Sequence, residues 1–392
     1  MMNPKTKPAP APLVKAPVAK APPPPPASGP VPPLFRPIDW WTLLIAFGIV
    51  WVVYFLTLAP EVTLEDSGEL TTASFWAGIP HPPGYPFWTI YTWLWTVLVP
   101  FKNIAWRVEL AEASTAAFAC GLLAFMVSRG SSMLMEGIEE LKGMTGKWEG
   151  AICMVSGVTA GLLMGFGSSM WKESVVINRI SLFGVPWLML VLVCMMRWIY
   201  APHQRRYLYL AMLCFGICAT IHQTLTLAAM GIEIGIAMCQ MRLGRDLFLA
   251  NSICWMGARL AMGAHHLPEL ETAGPMVLHI FDAVGIGSIA ACVWLAIKTG
   301  SLGTELLSVL YMGLLWLVGA GFYFYEALAG MTNPPMEWGY PRTVEGFWHA
   351  LTRGQYDKIT PTDVFHDFGR FVTELKMLVT GVADAFSWGS LK

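Results

Sequence analysis

The chain has 392 residues, 55% of them hydrophobic and only 13% charged, where an ordinary soluble domain carries about 25% charged residues. A soluble fold of this size could not hide so much apolar surface, including 18 Trp, 20 Phe and 23 Met, so the composition predicts a polytopic membrane protein. With 25 basic against 26 acidic side chains the net charge is −1, which excludes a global basic field for nucleic acid. The eight cysteines fall in apolar stretches with no Cys-x-x-Cys pair, so neither a disulfide framework nor a zinc site is implied. A P-loop, a zinc-protease helix motif and a dinucleotide fingerprint are all absent.

Residues 1–37 hold 14 of the 28 prolines, together with Lys5, Lys7, Lys15, Lys20 and Arg36 and no acid. Such a segment builds no core, and it reads as an extended, disordered cytoplasmic tail rather than a signal peptide. Apolar runs long enough to cross a bilayer follow at Ile38–Ala59, Val108–Ser128, Gly150–Met170, Leu182–Trp198, Tyr207–Ile221, Leu225–Met241, Leu247–Ala264, Met276–Ile297 and Leu306–Tyr325. Tyr85–Pro100 is shorter and rich in tryptophan (Trp88, Trp93, Trp95), which suits an interfacial helix. Keeping that run outside places Arg129, Lys142, Lys147, Arg205, Arg206, Arg242, Arg245 and Lys298 inside, as the positive-inside rule requires. The expected architecture is therefore an all-α bundle of about nine transmembrane helices with its N-terminus in the cytoplasm. Segments 60–107, 171–181, 265–275, the turn at His222 and residues 326–392 then share the outer face.

Polar chemistry gathers on that face. Glu61, Glu65, Asp66 and Glu69 put four carboxylates within nine residues directly after the first run. In a helix, Asp66 and Glu69 share a face, and clustered carboxylates at a low-dielectric boundary suit a general base; a solvated acidic loop is the plainer reading. His81-Pro-Pro-Gly-Tyr-Pro follows, and its prolines hold His81 and Tyr85 in a stiff corner ahead of the interfacial helix. Gly157, Gly161 and Gly165, and likewise Gly231 and Gly235, stand four apart, a spacing for close helix packing. Glu233 lies in an apolar run and is expected to face the bundle interior.

Asp66-Ser-Gly-Glu69 followed by Pro80-His-Pro-Pro-Gly-Tyr-Pro86 resembles the family termed domain of unknown function 2723, which is protein O-mannosyltransferase-like and belongs to the GT-C superfamily of membrane glycosyltransferases. The resemblance continues through Arg107, Trp171 with Glu173, His222-Gln-Thr, Asn333-Pro-Pro-Met-Glu-Trp-Gly-Tyr-Pro-Arg342, Glu345-Gly-Phe-Trp-His-Ala350 and Arg353-Gly-Gln-Tyr356. It departs where members carry an acid and a Tyr beyond their Trp, since this chain reads Val176-Ile-Asn-Arg179. Members also continue into further spans. The chain is thus expected to be a truncated or split member, completed by a separate downstream polypeptide, with Phe365–Trp388 an amphipathic outer helix.

The resemblance implies a GT-C-like fold and inverting transfer of a mannose-like sugar from a polyprenyl-phosphate donor to an acceptor hydroxyl on protein or glycan. The setting is the extracytoplasmic face of a bacterial inner membrane. Asp66 is the expected base, followed by Glu69 and Glu65. Arg107 is the leading partner for the lipid phosphate, ahead of Lys172, Arg179 and Arg342. His81, Tyr85, Glu173, His222, Trp338 and Tyr340 are candidates for binding donor or acceptor, and no metal or cofactor is assigned. A transporter or flippase of a lipid-linked intermediate is the rival. It is disfavoured by the lack of internal repeats and by the one-sided polar clustering. A non-catalytic assembly subunit is the third reading.

Overall fold

The computed structural model describes residues 31–63, 65–141, 146–177, 180–267, 274–356, 362–364 and 366–385. Most of the proline-rich tail (1–30), Lys142, Arg179, Phe365 and residues 386–388 lie outside the described residues. Among those described, the secondary structure is helical apart from one isolated bridge between Ile79 and Glu337.

The first helix, α1 (Pro37–Thr57), starts where a proline is tolerated, and Asp39 at its third position accepts the backbone N–H of Arg36 at 2.8 Å. Its remaining residues are apolar almost all round, the mark of a helix whose outer side meets lipid. Two short helices follow, α2 (Ser67–Trp76) and α3 (Pro86–Leu98). Asn103 caps the next helix, α4 (Ile104–Gly137), by accepting the N–H of Trp106 at 2.8 Å, while its amide ties back to the carbonyl of Pro60. At 34 residues α4 is about 51 Å long and overshoots a bilayer core at one or both ends. The series continues with α5 (Gly146–Gly165), α6 (Ser168–Ser174), α7 (Gly184–Tyr200), α8 (Arg206–Ile221), α9 (Ala229–Cys239) and α10 (Met241–Gly263). It ends with α11 (Pro275–Thr299), α12 (Leu306–Ala320), α13 (Phe324–Gly330), α14 (Val344–Leu351) and α15 (Phe368–Ala385).

Among the described residues, five helical stretches are long and apolar enough to cross a membrane: 37–57, 104–137, 146–165, 275–299 and 306–330. Gly184–Tyr200, Arg206–Ile221 and Gln223–Cys239 are shorter apolar helices. Large apolar side chains such as Leu56, Ile297, Leu307 and Val318 stay exposed on these helices, as expected of surfaces solvated by lipid.

Three packing groups make up the bundle. Helix α4 packs against α1 and α5, and α1 also meets α5. The glycine stripe of α5 permits this. A Cβ on Gly157 would lie 2.5 Å from the Ala124 carbonyl, one on Gly161 2.8 Å from the Cys120 carbonyl, and one on Gly165 2.6 Å from Val50. Helices α7 and α12 flank α8, and α9 and α11 flank α10. Gly231 and Gly235 share the four-residue spacing but would meet nothing within 4 Å, so that pair is a correction to the expected packing stripe. Glu233 does face inward. It accepts both oxygens' bonds from Asn251 at 2.9 Å and lines an apolar cavity of about 480 Å³ between α8, α9, α10 and α12.

Arg245 and Asp246, both fully buried, anchor the loop between α11 and α12 at the start of α10. Arg245 donates to Thr299, Ser301 and Thr304, and Asp246 accepts from the N–H groups of Gly303 and Glu305. Arg205, at the start of α8, pairs with Glu305 at 2.7 Å. The opposite ends of α8 and α12 converge on the polar site described next.

Candidate active site

The chain leaves α1 and turns through Glu65, whose φ of 61° is left-handed, into α2. Asp66 stands at the N-cap with an exposed carboxylate that caps no helix N–H, and Glu69 follows one turn on. Ala77, also left-handed, ends α2 and turns the chain back. This lays His81-Pro-Pro-Gly-Tyr-Pro beside the start of the same helix. The Pro82–Pro83 peptide is cis, and the Gly84 N–H donates to the His81 carbonyl at 3.0 Å.

A relay of polar contacts results. The His81 backbone N–H donates to Glu69 Oε1 at 2.5 Å, and His81 Nδ1 lies 3.1 Å from the same oxygen. His81 Nε2 lies 3.0 Å from the Tyr85 hydroxyl. With Glu69 ionised, the consistent assignment has Nδ1–H donating to the carboxylate and the phenol donating to Nε2. Burial pushes the Glu69 carboxyl up, but the hydrogen bonds from the His81 ring and backbone outweigh it and hold the group below its ordinary range. The Tyr85 phenol is pushed up to about 12, chiefly by burial; Arg353 opposes the rise, while Tyr356, Asp66 and Glu69 add to it. Arg353 and Tyr356, distant in sequence, therefore act on the same phenol as the local carboxylates Asp66 and Glu69.

The C-terminal segment closes over this corner. Ile79 donates its N–H to the Met336 carbonyl at 2.8 Å and accepts from Trp338 at 3.1 Å. The Tyr325 hydroxyl donates to the Ala77 carbonyl at 2.5 Å. Glu326 is fully buried with its carboxylate against Gly84, where a Cβ would come within 2.5 Å of it. On the other side, the Gln223 amide donates to the Leu351 carbonyl at 2.8 Å. His222 caps the end of α8 with Nδ1 2.6 Å from Thr224 Oγ1; burial and then the charge of Arg353 keep its pKa below the ordinary imidazole value.

Asp66, Glu69, His81 and Tyr85 thus come together, with His222 near enough to feel the same arginine. Glu65 lies beside them at the bend, exposed. Arg107 does not join them. Its three guanidinium nitrogens donate to the carbonyls of Phe101, Thr96 and Lys102, clamping the turn between α3 and α4. Glu173 is half-buried on α6, and Lys172 is exposed there. Trp338 reaches the corner through its backbone, leaving its ring half-exposed; Arg342 lies over the exposed ring of Tyr340 and donates to Asn333.

Three groups escaped the sequence reading as site residues: Arg353, Tyr356 and Glu326. Only the fold brings them to the loop, although an acid directly bordering the apolar run that ends at Tyr325 was itself a signal for Glu326. Glu109 and Glu112, three apart and buried on α4, carried the same signal; Glu112 accepts the indole N–H of Trp88 and fastens α3 to α4.

Chemically, the site pairs an exposed carboxylate, Asp66, with a second, Glu69, locked by hydrogen bonds. Donor atoms of Asp66, Glu69 and His81 lie within 4.8 Å of one another, an oxygen and nitrogen set that a divalent cation accepts. As folded, the imidazole faces Glu69 and Tyr85 instead, forming a hydrogen-bonded relay.

The N-terminal domain of the protein O-mannosyl-transferase TMEM260 matches residues 66–242 of the chain. That stretch opens on Asp66 and includes Glu69, His81, Tyr85, Arg107, Glu173 and His222, but not Trp338, Tyr340, Arg342 or Arg353. The mouse protein O-mannosyl-transferase TMEM260 is 35% identical over 125 residues, 30% of this chain and 18% of the relative. Its Dictyostelium discoideum counterpart is 30% identical over 64 residues, 16% of this chain and 8% of the relative. The chain therefore matches less than a fifth of the length of each of these relatives, both of them eukaryotic. No solved structure matches the chain.

Proposed function

We propose that this chain is a membrane O-glycosyltransferase that moves a mannose-like sugar from a polyprenyl-phosphate donor to a protein hydroxyl, with inversion. The observation that carries this reading is the juxtaposition of exposed Asp66 with the Glu69–His81–Tyr85 relay, inside the stretch that a mannosyl-transferase domain matches. In the proposed topology about nine helices cross the membrane, the eight apolar ones joined by α10, and the site faces away from the cytoplasm.

The acceptor oxygen attacks C1 of the sugar as its proton passes to Asp66. The C1–O bond to the phosphate breaks with its electron pair leaving on the lipid phosphate, so the configuration at C1 inverts. Asp66 suits the base role because its carboxylate is exposed. Glu69 is engaged by His81, so it fixes the corner and sets the local negative charge rather than taking the proton. Tyr85 stays protonated at neutral pH, so its hydroxyl keeps donating to His81 Nε2.

The test is transfer from polyprenyl-phosphate mannose to serine- and threonine-bearing peptides by the purified chain in lipid vesicles. Transfer by the wild type and none by Asp66→Asn supports the reading. Absence of transfer by wild type that still binds the donor favours the assembly subunit.

A further inference from the structure

Transfer of a sugar from a lipid phosphate leaves a phosphate of growing negative charge, and a low-dielectric site must supply a cation for it. Among the cations of the sequence reading, Arg107 donates through all three guanidinium nitrogens to backbone carbonyls. Arg342 donates to Asn333 and lies over Tyr340, while Lys172 stands on α6 outside the relay. Arg179 lies outside the described residues. Among the described residues, Arg353 is a further cation, in the segment docked on the corner.

Arg353 follows α14 with a left-handed φ of 55°, and its N–H donates to the Ala350 carbonyl. The turn is held on both sides. Gln223 binds the Leu351 carbonyl, and the Gly354 N–H donates to the His349 carbonyl at 2.8 Å with no room for a side chain at Gly354 against the His349 ring. The guanidinium is half-buried and lies 4.9 Å from the ring centre of Tyr356, a stack that orients its planar fork. No carboxylate among the described residues forms an ion pair with it. Gln223 holds this turn beside His222, and Ile221, the residue before His222, shares a buried cluster with Tyr85; the guanidinium charge accordingly registers at both Tyr85 and His222. An oriented guanidinium that pairs with no described carboxylate, in the corner that holds the base, is where a phosphate leaving C1 would come to rest.

We infer that Arg353, stacked on Tyr356 in the turn that Gln223 holds beside His222, binds the phosphate of the polyprenyl-phosphate sugar. This inference rests on the proposed transferase reading and adds the donor's anchoring residue to it. The segment 332–356 is then part of the site, docked on the loop through Ile79 and Gln223, rather than a trailing end.

The experiment measures binding of a long-chain polyprenyl phosphate to the full chain in nanodiscs, alongside sugar transfer. The unphosphorylated polyprenol and phosphatidic acid serve as comparison lipids. Arg353→Gln is expected to weaken polyprenyl phosphate binding about ten- to hundred-fold, as loss of a charge-assisted contact does, and to leave polyprenol binding unchanged. Arg353→Lys should recover part of the loss, which separates charge from folding. Asp66→Asn should bind the lipid phosphate like wild type while failing to transfer. If Arg353→Gln binds and transfers like wild type, the inference is overturned and the transferase reading stands. Equal, Arg353-dependent binding of phosphatidic acid also overturns it, because the arginine would then hold bilayer phosphate. If wild type neither binds polyprenyl phosphate nor transfers, both readings fall.

Discussion

Glu69 and His81 meet at a single oxygen: Glu69 Oε1 lies 2.5 Å from the His81 backbone nitrogen and 3.1 Å from its ring Nδ1. The two contacts tie the first turn of α2 to the proline corner twelve residues on. They also divide the acidic cluster by role. The carboxylate that holds the corner has its donors supplied, and the exposed one at the N-cap is left to meet an acceptor.

That division predicts different losses from two conservative changes. Asp66→Asn keeps shape and should lower the transfer rate about 10²- to 10⁴-fold, the usual contribution of a positioned general base, with donor binding retained. Glu69→Gln should instead weaken the corner, lowering thermal stability together with rate. Steady-state kinetics and melting curves on both variants check this; a rate loss confined to Glu69→Gln would reverse the assignment. Because the mechanism assigns no metal, a chelator should leave transfer unchanged.

The acid limb of stability follows from the same pair. Glu69 is held below its ordinary value of about 4.3. Its ionised form therefore stabilises the fold above that value, and the contribution is lost as pH falls through the lower value in the folded state. His81→Ala removes the ring contact and leaves burial, which raises the carboxyl pKa. Acid destabilisation should then begin at higher pH than in wild type. Melting temperature followed from pH 7 downward tests it, and superimposable curves would remove His81 as the cause.

Much of this arrangement is written locally. Asp66, Glu69, His81 and Tyr85 lie within twenty residues, and prolines with a short helix suffice to fold them together. The apolar runs likewise mark their helices, because lipid solvation demands continuous hydrophobicity. What sequence could not convey was long-range or degenerate. Arg107 and Arg353 are both arginines on the expected outer face, and only the fold shows one bound to the carbonyls between α3 and α4 and the other in a turn held by Gln223. Glu326 falls just past the last expected span, which ends at Tyr325, and its place against Gly84 depends on a contact some 240 residues away.

That contact is itself testable. Gly84 has a φ of 83°, and a Cβ there would lie 2.5 Å from Glu326 Oε1. Gly84→Ala should destabilise by about 1–3 kcal/mol through strain and overpacking. Shortening the neighbour in Gly84→Ala/Glu326→Ala removes the clash but not the backbone strain, so part of the loss should return. Thermal melts of the two single variants and the double variant give the coupling. Strict additivity would show that Glu326 and Gly84 do not touch.

The glycine spacings make the sharpest test of packing, because two stripes of identical period have opposite surroundings. On α5, a side chain at Gly161 would meet the Cys120 carbonyl at 2.8 Å and Ala46 at 2.9 Å. Neither can retreat without moving α4 or α1. On α9, a side chain at Gly231 would meet nothing within 4 Å. Gly161→Leu should therefore separate α5 from its partners, costing about 1–3 kcal/mol or more and lowering both the melting temperature and the yield of monodisperse protein. Gly231→Leu should leave both near wild type, since it adds apolar surface to an open face and removes a helix-weakening glycine. Equal tolerance at the two positions would mean that α5 does not pack on α1 and α4 through its glycines.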